Sequence, residues 1–111
     1  NLKFNRALLQ KKEIYKNDRL HKYIKGHKCL VCGSTWREDE EIIIKYIKNN
    51  EIEDFKYIIA PHMVSKENIE RIKNKFEKKV NLLSDNKYNI HYNVLLIDSI
   101  GVLKYIYKFA N

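Results

Sequence analysis

The chain has 111 residues, 44% of them hydrophobic, and a formal net charge of +8. This length provides one small core and excludes a protein of several domains. The excess of positive charge is mostly Lys, which lacks the bidentate geometry of Arg, so we expect no dedicated nucleic-acid-binding role.

Cysteine content and hydropathy exclude further classes. Two cysteines are too few for a disulfide scaffold, which fits a reducing compartment. No segment approaches the ~20 apolar residues of a membrane span, and nothing resembles a signal peptide. Since the chain begins at Asn1 without a Met and stops at Asn111 directly after a helical pattern, we expect it to be a piece of a longer protein.

The first part of the chain predicts a helical segment, a strand and a helix. Residues 7–24 carry apolar side chains at loose helical intervals, which predicts one or two short helices that end at Gly26. Residues 27–32 predict the first strand. Residues 35–38 then have capping-box spacing, so we predict a helix over residues 38–49 with isoleucines facing the core.

The second unit repeats this plan. Residues 55–60 predict a strand that Pro61 cannot extend. Ser65 is the predicted N-cap of a helix that carries an apolar stripe of Ile69, Ile72 and Phe76.

The third unit begins after a polar segment. Residues 78–92 predict a loop with one short turn near Leu82. Residues 94–97 are a continuous apolar run typical of a buried parallel strand, and residues 102–109 predict a third helix. Strand, loop and helix repeated three times predicts an α/β protein with a parallel sheet and helices on both of its faces.

Ligands bind at the carboxyl ends of the strands in such sheets, where the three loops converge. Ser34 and Thr35 precede a predicted helix, so they either contact phosphate or only cap that helix. His62 follows a Pro at a strand end and is either a ligand-binding side chain or a solvated one. Asp98 either contacts a ligand or caps the third helix. Gly101 would let the backbone approach a ring or ribose closely.

Cys29 and Cys32 have the spacing of a redox or zinc motif. A second pair is absent, and residues three apart on a strand face opposite sides of the sheet. We therefore interpret both as buried apolar residues and predict no metal site. The sequence contains neither a Ser-His-Asp arrangement nor a G-x-G-x-x-G motif, which leaves hydrolase and dinucleotide-binding functions unsupported.

Four segments occur in the order seen in one enzyme family. They are Asn1-Leu2-Lys3-Phe4, Val31-Cys32-Gly33-Ser34-Thr35 with acidic residues after it, Ile58-Ile59-Ala60-Pro61-His62, and Leu95-Leu96-Ile97-Asp98-Ser99-Ile100-Gly101-Val102-Leu103. The aromatic Tyr105-Ile106-Tyr107 follows them. On these segments the chain resembles the 3-deoxy-D-manno-octulosonic acid (Kdo) transferases over nearly its whole length.

The resemblance implies both a fold and a function. Kdo transferases are two-domain glycosyltransferases of the GT-B type, which move Kdo from CMP-Kdo onto a lipid A precursor in lipopolysaccharide biosynthesis. They act at the cytoplasmic face of the bacterial inner membrane. By this resemblance residues 1–26 are a helical lead-in from the interdomain region, and residues 27–111 are part of the Rossmann-like C-terminal domain. The catalytic base and the membrane contact belong to the other domain, so this part alone should be inactive, and no cofactor is expected.

The donor-binding residues that the resemblance implies are Ser34, Thr35, His62, Asp98, Ile100 and Gly101. Many members of the family carry an Arg between the Pro and the His after the second strand, whereas here Pro61 is followed directly by His62. Either His62 supplies a polar contact in place of that Arg, or phosphate recognition relies on other loops. A non-catalytic α/β interaction or regulatory module is the alternative to a glycosyltransferase.

Overall fold

The structure is a computed structural model that describes residues 18–50 and 55–99. Helices and strands alternate along these two ranges. They are α1 (Asp18–Ile24), β1 (Lys28–Thr35), α2 (Arg37–Asn49), β2 (Phe55–Pro61), α3 (Lys66–Lys75), β3 (Asn81–Leu82) and β4 (Val94–Leu96). Within the described ranges no helix has the length and apolar character needed to cross a membrane.

The strands form one sheet in the order β1-β2-β4-β3, and every neighbouring pair is parallel. The predicted α/β fold is therefore confirmed, with the three predicted strands side by side. The prediction of a plain loop over residues 78–92 is wrong, because Asn81 and Leu82 form an edge strand along β4. This strand is only two residues long and lies in a polar segment, so it depends on pairing with β4 rather than on a local apolar pattern.

The hydrophobic core lies on both faces of the sheet. Side chains alternate along β2, so that Ile58 and Ala60 face α1 while Tyr57 and Ile59 face α2 and α3. Ile58 is fully buried, with a side chain that is 0% exposed. Leu96 and Ile97 are also buried, as the apolar run over residues 94–97 predicts. Because helices cover both faces of the sheet, β2 and β4 consist mostly of apolar residues.

Strands β1 and β2 are both longer than predicted. Gly33, Ser34 and Thr35 were expected to form a loop, but they belong to β1, and Pro61 belongs to β2. The Tyr57 N–H donates to Asn93 O on the β4 side, and the His62 N–H donates to Thr35 O on the β1 side. Amide directions alternate along a strand, so the missing N–H of Pro61 would point toward β4 beyond that strand's last residue. Pro61 can thus extend β2 without breaking a ladder hydrogen bond.

The helix ends follow local capping rules. Ser65 is the N-cap of α3, as predicted, and its Oγ accepts a hydrogen bond from the Asn68 N–H at 3.1 Å. The capping box predicted to start at Thr35 is displaced by one residue, because Asp39 Oδ2 accepts from the N–H of Trp36, which is the N-cap of α2. Gly26 follows α1 with φ of +81°, the left-handed conformation that glycine adopts without strain.

Several predictions fall outside the described ranges. These are the helical segment before residue 18, the residues Ile100 and Gly101, and the helix over residues 102–109. The division at residue 26 stays a prediction, although Leu20, Tyr23 and Ile24 of α1 pack into the sheet's core.

Candidate functional site

The ends of β1 and β2 hold Thr35, Trp36 and His62 together at the carboxyl edge of the sheet. The His62 N–H donates to Thr35 O at 2.8 Å, which ties the two strand ends together. The imidazole of His62 stacks on the indole of Trp36 with 3.9 Å between ring centroids and 27° between planes. Both rings remain exposed to solvent. This edge therefore presents two stacked aromatic rings to solvent, which we call the Trp36–His62 stack.

A β-bulge at Ser34 decides where Thr35 points. Gly33 pairs with Ala60 and Thr35 pairs with Pro61, so one extra residue lies in β1 between these two pairs. Cys29 and Val31 face α1, and strict alternation would turn Thr35 to the same side. The extra residue reverses this, and the Thr35 side chain instead faces α2.

A buried polar cluster fixes this end of the sheet to the helices on one face. The Thr35 hydroxyl donates to Glu40 Oε2 at 2.8 Å, and Arg71 Nη2 donates to the other oxygen of the same carboxylate. Glu40 is only 1% exposed. Arg71 Nη1 also donates to Glu41 Oε2 at 3.0 Å, and Arg71 Nε donates to Asn68 Oδ1 at 3.1 Å. The cluster joins β1, α2 and α3, and its burial means that each charge depends on its partners.

Sequence reasoning missed this cluster. Glu40 stands in a run of four acidic residues, and Arg71 is separated from it by 31 residues. One signal was available, since Glu40, Ile44 and Ile47 share the i, i+4, i+7 spacing of a buried helix face.

A cavity of about 320 Å³ opens between the first turns of α2 and α3, beside the Trp36–His62 stack. Its lining combines apolar side chains with charged and polar ones. They are Thr35, Trp36, Arg37, Glu40, Met63, Ser65, Glu67, Asn68 and Arg71. The cavity lies at the edge where parallel α/β sheets bind ligands.

Asp98 follows β4 at the same edge and is already engaged in hydrogen bonds. Its Oδ1 accepts from the Ser84 N–H at 3.1 Å, and its Oδ2 accepts from the Ser84 hydroxyl. In the described part of the chain Asp98 therefore anchors the turn that follows β3. The alternative role as cap of the third helix concerns residues outside the described ranges.

The predicted donor-binding residues thus have different positions. Thr35 and His62 are brought together, with β2 placing His62 between the β1 and β4 ends of the sheet. Ser34 forms the bulge in β1. The hydroxyl of Thr35, predicted either to contact phosphate or only to cap the helix, donates to Glu40, and the residue is only 5% exposed. Trp36 was not predicted as a site residue, although it is the single Trp of the chain.

The two cysteines lie in the core. Burial raises the pKa of the Cys29 thiol to about 12 and that of Cys32 to about 11. Cys29 and Cys32 are not joined in a disulfide. Thiols of such high pKa are protonated at neutral pH, which disfavours metal binding and redox chemistry. Among the residues that the structure describes, no group of three or more His, Cys, Asp or Glu side chains could hold a metal ion.

Comparison with known proteins bears on the fold. A scan against protein-family models and a search of curated proteins found no match. Among solved structures, the chain is similar to the C-terminal CMP-Kdo binding domain of WaaA from Acinetobacter baumannii, with a TM-score of 0.60 and 19% sequence identity. The alignment covers 81% of this chain and 50% of that one, so the chain spans about half the length of this neighbour. The likeness shows the fold. The resemblance expected from sequence and the Rossmann-like α/β fold are confirmed at that level.

Proposed function

We propose that this chain is the donor-binding part of a glycosyltransferase and that it holds CMP-Kdo at the carboxyl edge of its sheet. The observation that carries the proposal is the likeness in fold, over 81% of this chain, to a domain described as binding CMP-Kdo. Three of the four segments that resemble Kdo transferases add support, because they include the ends of β1, β2 and β4. Ligands of parallel α/β sheets bind at this edge.

In this proposal His62 supplies a polar contact to the donor. Its ring is exposed and is held by Trp36, so its nitrogens can reach a ligand without loss of a buried interaction. Thr35 holds the end of β1 in place beside the donor, because its hydroxyl donates to Glu40. Ser34, Asp98, Ile100 and Gly101 complete the proposed donor-binding set.

For the whole enzyme we propose transfer of Kdo to a lipid A precursor in lipopolysaccharide biosynthesis, at the cytoplasmic face of the bacterial inner membrane. The catalytic base and the membrane contact would belong to the other domain of a GT-B enzyme. The present chain would then bind donor without catalysing transfer, because the catalytic base would lie in that other domain.

Trp36 provides a direct test. It is the single Trp of the chain and lies against His62, so its fluorescence reports on this edge. We expect a saturable change on titration with CMP and a weaker response to AMP. Calorimetry should show CMP binding at least about tenfold weaker for His62→Ala, because a hydrogen bond to a charged group contributes roughly 1.5–3 kcal/mol.

The matched control is His91→Ala. His91 is also exposed, but it precedes β4 and so lies at the amino edge of the sheet. Its replacement should leave CMP affinity unchanged. A chain that gives no saturable response to CMP, or that binds AMP equally well, would contradict donor binding and favour the non-catalytic interaction module.

A further inference from the structure

The cavity between α2 and α3 has the volume of a small-molecule site. Its volume of about 320 Å³ lies at the lower end of the roughly 300–1,000 Å³ range of such sites. The cavity opens beside the Trp36–His62 stack, so a group bound there would lie next to the proposed donor edge.

The charges around the cavity do not suit a phosphate. Arg37 and Arg71 line it together with Glu40 and Glu67, so two positive charges meet two negative ones. Arg71 is paired with Glu40 and also with Glu41. The first turns of α2 and α3 carry acidic residues as well, which offset the positive ends of the helix dipoles. The cavity therefore favours the hydroxyl groups of a ligand over its phosphate or carboxylate groups.

The polar groups that face the cavity can form hydrogen bonds with the hydroxyl groups of a ligand. Contacts within the described residues use four of the five N–H groups of Arg71, which leaves one donor. The Ser65 Oγ accepts from the Asn68 N–H, and its own hydroxyl hydrogen can rotate toward a ligand. Glu67 adds an exposed carboxylate acceptor. A hydroxyl both donates and accepts, so it matches this mixture better than a purely accepting phosphate does.

The remaining wall of the cavity is apolar and open. Trp36 is 51% exposed and Met63 is 54% exposed, although both side chains are large and hydrophobic. His62 covers one face of the indole and limits its movement. Exposed aromatic surface next to convergent polar groups is the arrangement that small-molecule sites use. Here the apolar part fits the C–H face of a saturated ring.

We propose that this cavity binds a single hydroxylated ring, that of a sugar. Trp36 and Met63 contact the apolar face of the ring, while Arg71, Ser65 and Glu67 hydrogen-bond its hydroxyls. The identity of the sugar rests on the proposed function, under which the ring is the ribose of CMP, the Kdo of the donor, or a sugar of the acceptor. The Glu40–Arg71 pair lines the cavity and holds its two sides together, because it joins α2 to α3.

Proton–nitrogen correlation spectra of the protein can test the proposal and identify the source of the ring. The probes are CMP, free Kdo and methyl glucoside. We expect saturable shifts of the Trp36 indole, Arg71 Nε and Asn68 signals with at least one of them. Shifts with CMP assign the ribose, shifts with Kdo assign the donor sugar, and shifts with methyl glucoside alone assign another sugar. No shift of these signals with any probe overturns the proposal.

Paired variants provide the second measurement. Trp36→Ala should weaken binding of the responding probe about fivefold, while Tyr46→Ala, an equally exposed aromatic on α2 outside the cavity, should leave it within about twofold. If Trp36→Ala does not fold, Glu67→Gln provides the test, because it changes only an exposed side chain. It should weaken binding about threefold, whereas Glu70→Gln on the same helix should not.

The two proposals fail in different ways. Binding of CMP without shifts of the Arg71 Nε and Asn68 signals, and unaffected by Glu67→Gln, would overturn the sugar site and leave donor binding intact. Shifts with methyl glucoside but no binding of CMP or Kdo would keep the sugar site and contradict CMP-Kdo binding.

Discussion

Replacing Arg71 with Met tests whether the buried polar cluster holds the carboxyl edge together. The change leaves the Glu40 carboxylate, which is 1% exposed, without its cationic partner. Loss of one partner from a buried ion pair costs about 3–5 kcal/mol. Because the Arg71 side chain is 17% exposed, we expect the low end of that range, about 3 kcal/mol. The second pair, with the half-exposed Glu41, adds no more than about 1 kcal/mol.

Urea denaturation followed by Trp36 fluorescence and by circular dichroism measures this loss. For a domain of about 100 residues, 3 kcal/mol corresponds to a fall of roughly 12–24 °C in Tm. Lys45→Met removes an exposed cation from α2 and should change stability by less than about 0.5 kcal/mol.

The double variant Glu40→Met with Arg71→Met removes both charges and should recover much of the loss, because the desolvated carboxylate is gone. A loss below about 1 kcal/mol for Arg71→Met would refute the reasoning. The reasoning would also be refuted if the stability lost in the double variant equalled the sum of the losses in the two single variants.

Three further predictions concern the core, a helix cap and pH. Leu96→Ala should cost about 2–5 kcal/mol in chemical denaturation, because Leu96 is 0% exposed in a central strand, and a loss under about 1 kcal/mol would contradict this. Ser65→Ala should cost about 1 kcal/mol through loss of the α3 cap, whereas Ser65→Asn should be nearly neutral. Stability should fall above pH 9, since the unfolded Cys29 thiol ionises near 9.0 while the folded one keeps its proton to about 12. Because the unfolded state then binds fewer protons, the free energy of unfolding should fall by up to about 1.4 kcal/mol per pH unit. Cys29→Ala should reduce this slope, and an unchanged slope would place Cys29 outside the core.

Local patterns were sufficient to predict most of the elements. The mostly apolar run at residues 55–60 and the continuous one at residues 94–97 predict buried strands, and both are strands of a sheet whose two faces are covered. Ser65 caps α3 because capping depends on a side chain and an amide three residues apart. Features with such short-range causes can be predicted without knowledge of the fold.

Lys56 shows where the apolar pattern misleads. It stands within the second strand, where a charged side chain would be expected at the surface, yet it is 1% exposed. Its Nζ donates to Ile90 O at 3.0 Å and to Tyr92 O at 3.3 Å, and burial lowers its pKa. The carbonyl groups that satisfy this ammonium come from a turn more than 30 residues away. Periodicity alone contains no information on such a partner.

The candidate site was predicted in position but not in composition. The sequence predicted that the ends of the strands converge, and Thr35 and His62 do meet at that edge. The bulge at Ser34, however, turns the Thr35 hydroxyl toward Glu40, a contact that the sequence did not predict. A bulge arises from the pairing of two strands, so its effect on a side chain appears only when both are in place.

The sequence by itself determined the α/β class, the three main strands and the capping of α3, because periodicity and capping act over a few residues. Tertiary structure alone decided the strand order, the edge strand β3 and the Glu40–Arg71 pair. It also decided the Trp36–His62 stack and the cavity beside it. These features join residues distant in the chain, and their energies depend on burial and on partners that exist only once the sheet and its helices have packed.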